Sequence, residues 1–250
     1  MDHRLPPLAA FPALAWPALL LLGPLTPANA QARIPPRQYE ERPTDTLLPP
    51  PVQLPNLPPS PPIGRGPYVS VQVNVAANGA NIVGDAGNEP SIAVDPTNAD
   101  RMAIGWRQFD NVASNFRQAG WGYTTDAGQT WSFGGKLDPG VFRSDPVLEA
   151  DTTGRFFYNS LTTITGNYTC DVFRSTSGGA TWGPKVYAHG GDKAWMAIDR
   201  TGGVGNNHVY CAWDLYGCCG SNTFNRSTNN GSSFSTPTAI PSIPQWGTVA

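Results

Sequence analysis

The pattern of hydrophobic and polar positions divides the chain into three parts. Residues 8–22 form one continuous apolar run, and residues 31–67 are dominated by proline. From Tyr68 onward, short apolar segments are separated by turns rich in Gly, Asn and Asp, and the period-two alternation over Tyr68–Val75 predicts a half-buried strand. The pattern predicts an all-β domain over residues 68–250, preceded by two segments that cannot form a core.

A threefold repeat organises the β-rich part of the chain. An eight-residue element recurs at 124–131, 175–182 and 227–234, at a spacing of about fifty residues. Two further elements precede each copy in the same order. One ends in Asp (Glu89–Asp95, Asp145–Asp151 and Lys193–Asp199), and the other is an apolar strand (Met102–Trp106, Phe156–Ser160 and His208–Trp213). This arrangement predicts the four-stranded antiparallel blades of a β-propeller.

Residue types at fixed positions of the eight-residue element predict a tight hairpin turn. The Asp or Asn side chain can accept hydrogen bonds from turn amides, Gly supplies a backbone with positive φ, and the final aromatic ring packs beneath the hairpin. The second copy has Ser177 in place of the acid. We therefore expect structural rather than catalytic roles for Asp126, Gly128, Trp131, Gly179, Trp182, Asn229, Gly231 and Phe234.

The element Ser/Thr-x-Asp-x-Gly-x-Thr-Trp resembles the Asp-box, or BNR, repeat of the sialidase-like β-propeller superfamily. Thr124–Trp131 matches this pattern completely, and the resemblance covers residues 84–250. It implies a six-bladed disc and exo-acting glycan hydrolysis, with an arginine triad, an acid/base Asp and a Tyr–Glu nucleophile pair. No motif assigns those catalytic residues in this sequence.

Strand connectivity separates the candidate binding residues from the turn residues. In a blade of strands A to D, the A–B and C–D turns share one face, which we call the turn face. The B–C and D–A connections share the opposite face, the ligand face. Carboxylates with interspersed Arg at the ligand face suit a glycan carboxylate or a glycosidic bond, although Asp at a strand start can also simply satisfy backbone donors. The candidates are Glu89, Arg107, Asp110, Asp145, Asp192, Asp214 and Tyr216.

The first 67 residues predict export and a linker. Arg4 precedes the apolar run and Ala28-Asn29-Ala30 supplies small residues for a signal peptidase, so residues 1–30 are expected to be a signal peptide, the alternative being an uncleaved anchor. Residues 31–67 predict an extended, proline-rich, disordered linker, serving as a spacer or as a proline-motif ligand. The mature protein is expected to be secreted, periplasmic or at the cell surface, without a membrane span.

Composition narrows the chemistry further. Only 14% of residues are charged and the net charge is −2, so there is no basic field for nucleic acid. No cofactor is expected, and the three His residues and four Cys residues lack metal-ligand spacing, so no metal site is expected. Export permits disulfides among Cys170, Cys211, Cys218 and Cys219; three pairings are open, and a loop staple from Cys211 to Cys218 or Cys219 is favoured.

Two classes of function follow from the sequence. The first is an exported, sialidase-like propeller that acts on or binds glycans. In its catalytic form it would be a glycoside hydrolase, an exo-glycosidase. The second is a non-catalytic BNR propeller that serves as a protein- or polysaccharide-binding scaffold. At about fifty residues per blade, the sequence holds about three and a half of an expected six blades, with Gln245–Ala250 resembling the start of a fourth, so we expect a fragment of a longer protein.

Overall fold

The computed structural model describes residues 62–241 and residue 249. The expected signal peptide, most of the expected linker, and all of Gln245–Ala250 except Val249 lie outside the described residues. Every regular element in the described part is a strand. Within it there is no helix whose length and hydrophobicity would suffice to cross a membrane.

A short hairpin precedes the blades. Strands β1 (Ile63–Arg65) and β2 (Tyr68–Ser70) pair with each other in antiparallel register and with no other strand of the described chain. The prediction of one half-buried strand over Tyr68–Val75 is therefore wrong beyond Ser70, and β2 itself is exposed. The rest of the segment folds back on itself, because the Gln72 side chain donates to the side chain of Asn81 at 2.8 Å and Val75 forms an isolated bridge with the same residue.

Three antiparallel sheets then follow along the chain, in agreement with the repeat. The first has the order β3-β4-β5-β6, with β3 Ala86–Val94, β4 Met102–Phe109, β5 Gln118–Thr124 and β6 Ser132–Leu137. The second pairs in sequence order, with β7 Ser144–Ala150, β8 Phe156–Ile164, β9 Asn167–Ser175 and β10 Val186–Tyr187. The third contains β11 Trp195–Ile198, β12 Val209–Ala212 and β13 Phe224–Ser227, and an isolated bridge from Phe224 to Thr238 takes the place of its fourth strand.

The hydrophobic core lies between neighbouring blades. One cluster joins the first and second blades and includes Ala103 of β4 and Phe156 and Tyr158 of β8, all fully buried. A second cluster joins the second and third blades, with Phe157 of β8 facing Met196 of β11. Alternate residues of β8 therefore point to opposite neighbours, as the period-two geometry of a strand requires when both faces of its sheet are covered.

The three C–D turns share one hydrogen-bonding scheme. The Asp126 carboxylate accepts from the Thr130 amide at 2.9 Å and from its hydroxyl at 2.6 Å, and these bonds lower the pKa of Asp126 to about 2. The Ser177 hydroxyl takes the place of this carboxylate in the second turn, accepting from the Thr181 amide, and the Asn229 side chain does so in the third, accepting from the Ser233 amide. Ser and Asn can thus replace Asp because the turn needs an acceptor rather than a charge.

The A–B turns also repeat a single device. In each, an Asp side chain at the end of strand A accepts from the backbone amide and the hydroxyl of the Thr two residues later, at 2.6–2.9 Å. These acids are Asp95, Asp151 and Asp199. All three carboxylates are occupied by their own turns at the face opposite the candidate ligand-binding residues.

The second and third C–D turns also pack on the preceding blade. A Cβ added to Gly179 would lie 2.8 Å from the Cβ of Ala103, and the Trp121 indole donates to the Gly179 carbonyl at 3.1 Å. One blade further on, a Cβ added to Gly231 would lie 2.9 Å from the ring of Phe157. These glycines are therefore required by the close approach of two blades as well as by their positive φ.

We predict that Gly179→Ala destabilises the protein more than Gly128→Ala does. Both glycines have φ near +85°, at 87° and 82°, so the backbone strain is matched. Only at Gly179 would the new methyl group collide with a neighbouring blade, and overpacking of this kind costs about 1–3 kcal/mol. Urea denaturation of the two variants measures the difference, and equal free energies of unfolding would contradict the proposed role of the glycine between blades.

Candidate functional site

The three innermost strands begin with the same backbone irregularity. Glu89, Asp145 and Lys193 occupy equivalent positions and have φ values of 51°, 45° and 51°. The ladder register breaks after Asn88 in the first blade and after Ser144 in the second, as in a β-bulge. Positive φ is uncommon for residues other than glycine and often occurs at functional sites, although Ala127 and Asn230 of the C–D turns also have it. Its occurrence at all three strand entries makes this end of the strands a candidate site.

These strand entries line an open pocket of about 280 Å³, which we call the strand-entry pocket. It is lined by three consecutive residues from each blade, namely 89–91, 145–147 and 193–195. Strand β7 lies in the middle and contacts both β3 and β11. Equivalent residues of successive repeats therefore meet at one place, because the blades are arranged radially with strand A innermost.

The first blade contributes a charge pair to the pocket. Arg107 of β4 lies beside Asn88 in the register of β3, and its guanidinium donates to both carboxylate oxygens of Glu89. The Arg107 side chain is 7% exposed and the Glu89 side chain 42% exposed, so the carboxylate reaches solvent while its partner is covered. Bidentate pairing of this kind fixes the orientation of the carboxylate.

The second and third blades share a network around Asp145. The Ser144 hydroxyl donates to one carboxylate oxygen at 2.6 Å, and the Lys193 amide donates to the other at 3.2 Å. The Lys193 ammonium lies 3.8 Å from Asp145 and 3.9 Å from Asp192. The partly exposed Lys193 ammonium is thus the shared cationic neighbour of two nearly buried carboxyl groups, those of Asp145 and Asp192.

Asp192 holds its proton unusually tightly. Burial raises its pKa to about 7; the neighbouring Lys193 lowers it, and Asp145 and Asp214 raise it. The backbone assembles this acidic cluster, because the Asp192 amide donates to the Tyr216 carbonyl at 2.7 Å and the Asp214 amide donates to the Asp192 carbonyl at 3.1 Å. The Tyr216 amide in turn donates to the Asp214 carboxylate at 2.7 Å.

Not all the candidate residues gather at the pocket. Of the candidates, only Glu89 and Asp145 line the pocket. Arg107 pairs with Glu89, Asp192 and Asp214 adjoin Asp145 in one acidic cluster, and Tyr216 supports that cluster through its backbone. Asp110 instead joins the strands of the first blade, pairing with Lys136 at 2.5 Å and accepting from Gln118 at 3.0 Å. We therefore do not include Asp110 in the site.

Trp195 is a pocket residue that the sequence did not single out. It lies at the same repeat position as Ser91 and Val147, lines the pocket and is 40% exposed. The exposed part of the indole gives the pocket a flat apolar surface beside its charged groups. The signal that could have revealed it is the replacement of a small or aliphatic residue by Trp at an otherwise equivalent position.

The disulfide differs from the favoured pairing. Cys218 and Cys219 are bonded to each other, while Cys170 and Cys211 are free and buried, so the expected staple from Cys211 is wrong. Cys211 lies within β12, where it pairs with Met196 and packs in the core. The loop cysteines lie beside the segment leading to Asp192, because the Cys218 amide donates to the Gly190 carbonyl.

The repeated blades and the pocket formed by their innermost strands define the fold as an all-β propeller; three blades are described, in line with the expected three and a half. Neither a protein-family model nor a curated protein matches the chain. Among solved structures it is similar to the Hadza microbial sialidase Hz136, with 10% identity, a TM-score of 0.43, and coverage of 65% of this chain and 34% of that one.

Two further structures are similar to the chain. One is the Penicillium chrysogenum alpha-L-arabinanase complexed with arabinobiose, with 14% identity and a TM-score of 0.46, over 66% of this chain and 48% of that one. The other is the GH43 beta-1,3-galactosidase BT0265, with 12% identity and a TM-score of 0.44, over 67% of this chain and 35% of that one. The chain thus matches between about a third and a half of the length of these structures.

We predict that Asp192 makes the protein less stable as the pH rises. Its pKa is about 7 in the folded state and 3.8 in the reference state, so between these values the folded protein keeps a proton that the unfolded chain has lost. The free energy of unfolding should fall over this range by up to about 4 kcal/mol from this group. Urea denaturation at pH 5 and pH 8 should show a smaller decrease for Asp192→Asn, and an unchanged pH dependence would refute the assignment.

Proposed function

We propose that this chain is part of an exported glycan-directed hydrolase that binds a sugar in the strand-entry pocket and uses Asp192 as the proton donor. The observation that carries the proposal is the convergence of Glu89, Asp145 and Lys193 on one pocket beside a carboxyl group whose pKa is near 7. Glycoside hydrolysis needs one carboxyl that is protonated at working pH and a second carboxylate nearby.

The pocket has dimensions and surfaces suited to a sugar ring. The part formed by the described blades has a volume of about 280 Å³, which is enough to accept one ring. Trp195 offers a flat apolar surface to the C–H face of the ring. Glu89, Asp145 and Lys193 offer acceptors and donors to the hydroxyl groups or to an acidic substituent.

The division of roles follows from the surroundings of each carboxyl group. Asp192 retains its proton because it is buried near two other acids, so it can protonate a leaving-group oxygen at neutral pH. Asp145 lines the pocket and is fixed by Ser144 and the Lys193 amide, which suits a carboxylate that stabilises positive charge on the sugar. The Lys193 ammonium lies near both carboxyl groups, so its electrostatic interactions change when either group gains or loses a proton.

We predict that Asp192→Asn lowers kcat by about 10²–10⁴-fold on an aryl glycoside that the wild-type chain hydrolyses, because a positioned general acid contributes this much. In the wild type, activity should fall as the pH rises through about 7. The matched control is Asp199→Asn, since Asp199 lies in a turn of the opposite face and Asn can still accept the Thr201 amide. Equal activity of the two variants across the pH range would reject Asp192 as the donor.

We predict that Trp195→Ala weakens binding of the glycan by at least about tenfold, because the stacking surface is lost. Isothermal titration of the inactive Asp192→Asn chain with the same glycan separates binding from turnover. Tyr68→Ala is the control, because it removes an exposed aromatic ring outside the pocket and should leave the affinity unchanged. Glycan binding without turnover in the wild type would instead favour the non-catalytic scaffold, and unchanged affinity in the Trp195 variant would place the ligand elsewhere.

A further inference from the structure

A second cluster of reactive side chains lies outside the strand-entry pocket. The disulfide-bonded pair Cys218–Cys219 belongs to the loop after β12, and His189 follows β10 of the preceding blade. The His189 Nδ1 atom lies 3.9 Å from the Cys219 Sγ atom. One donor atom from each of the three residues lies within 4.8 Å of the others, and all three side chains are partly exposed.

Glycine contacts bring these two segments together. A Cβ added to Gly191 would lie 2.8 Å from the Cα of Gly217, and one added to Gly217 would lie 2.6 Å from the Gly190 carbonyl oxygen. The backbones therefore touch directly, and an isolated bridge joins Gly191 to Gly217. Because this contact immediately precedes Cys218, it places the cysteine pair beside His189.

The position of His189 is fixed by contacts of its backbone and of its ring. Its carbonyl accepts from the Cys170 amide, its backbone has a φ of 61°, and its ring packs on Tyr187 with the centroids 4.7 Å apart. The histidine is thus positioned by both its backbone and its ring, independently of the cysteines.

We propose that His189, Cys218 and Cys219 form a redox-gated site for one thiophilic cation of the Zn²⁺ or Cd²⁺ type. In the disulfide form the two sulfurs are bonded to each other and are poor ligands. A dithiol reductant transfers two electrons and two protons to the pair, giving two thiols while the reductant itself becomes a disulfide. The cation then displaces both thiol protons and gains two thiolates and one imidazole as ligands.

The donor set matches this class of ion. Thiolate and imidazole are the ligands that Zn²⁺ prefers, and two donors on one tetrahedral Zn²⁺ lie about 3.5–3.8 Å apart. The His189 Nδ1 atom and the Cys219 Sγ atom, 3.9 Å apart, are already close to this spacing, whereas the two sulfurs must separate from each other after reduction to reach it. Sequence spacing predicted no metal site because His189 and the cysteines belong to different repeats. The fold, rather than the spacing, unites them.

The test is a titration of the full chain with Cd²⁺ before and after reduction. After reduction with a dithiol and removal of the reductant, we expect one Cd²⁺ per chain with thiolate-to-metal charge-transfer absorption, and none before reduction. Cys218→Ser/Cys219→Ser should abolish the signal although Cys170 and Cys211 remain as thiols. His189→Ala should weaken Cd²⁺ affinity by at least about tenfold, while His208→Ala, a histidine in an A–B turn, should leave it unchanged.

Three results would overturn the site. They are equal Cd²⁺ binding by the oxidised and reduced chains, binding that survives replacement of both loop cysteines, and equal affinity of the His189 and His208 variants. If the double serine variant fails to fold, alkylation of the reduced wild-type chain replaces it, since Cys218 and Cys219 are accessible whereas Cys170 and Cys211 are buried. Because the readout is metal absorption, the outcome is independent of any glycosidase activity.

Discussion

Close contact between neighbouring blades is the constraint on which the other features of this structure depend. The core lies between blades rather than inside any one sheet, and glycine makes the approach possible at the points where one blade's turn touches the next. Tyr158 shows how tight the contact is, because it fills the space beside Gly105 and donates to the Gly120 carbonyl at 3.1 Å in the first blade. Adding even one methyl group at Gly105 would collide with the Tyr158 ring and disrupt this packing.

The strand-entry pocket is a product of that packing. Radial arrangement brings equivalent positions of three repeats together, so side chains fifty residues apart in sequence share one cavity. The same arrangement places Asp145 and Asp192 around a single lysine, with Asp214 beside Asp192. Burial of Asp192, reinforced by the neighbouring acids, raises the pKa of this carboxyl group so that it keeps its proton near neutral pH.

The sequence predicted the elements that repeat and missed those that occur once. The turn at Thr124–Trp131 and its two relatives, the strand order and the blade type follow from residue types at fixed spacing, because local hydrogen bonds determine them. The contacts of Asp110 with Lys136 and Gln118, and of Cys219 with His189, are decided by how separate strands and loops meet in three dimensions. The prediction of a strand over Tyr68–Val75 was wrong beyond Ser70 for a related reason, since alternation produces a strand only where a neighbouring strand is available to pair with it.

The two faces of the propeller differ in how uniform their connections are. On the turn face, the eight-residue element is repeated with one hydrogen-bonding scheme in all three blades. On the opposite face, the B–C connections range from the two-residue turn Thr165–Gly166 in the second blade to the whole of residues 213–223 in the third. Insertions and substitutions in these connections can therefore diversify recognition over evolutionary time while the inter-blade scaffold stays the same, which gives this architecture room to acquire new specificities.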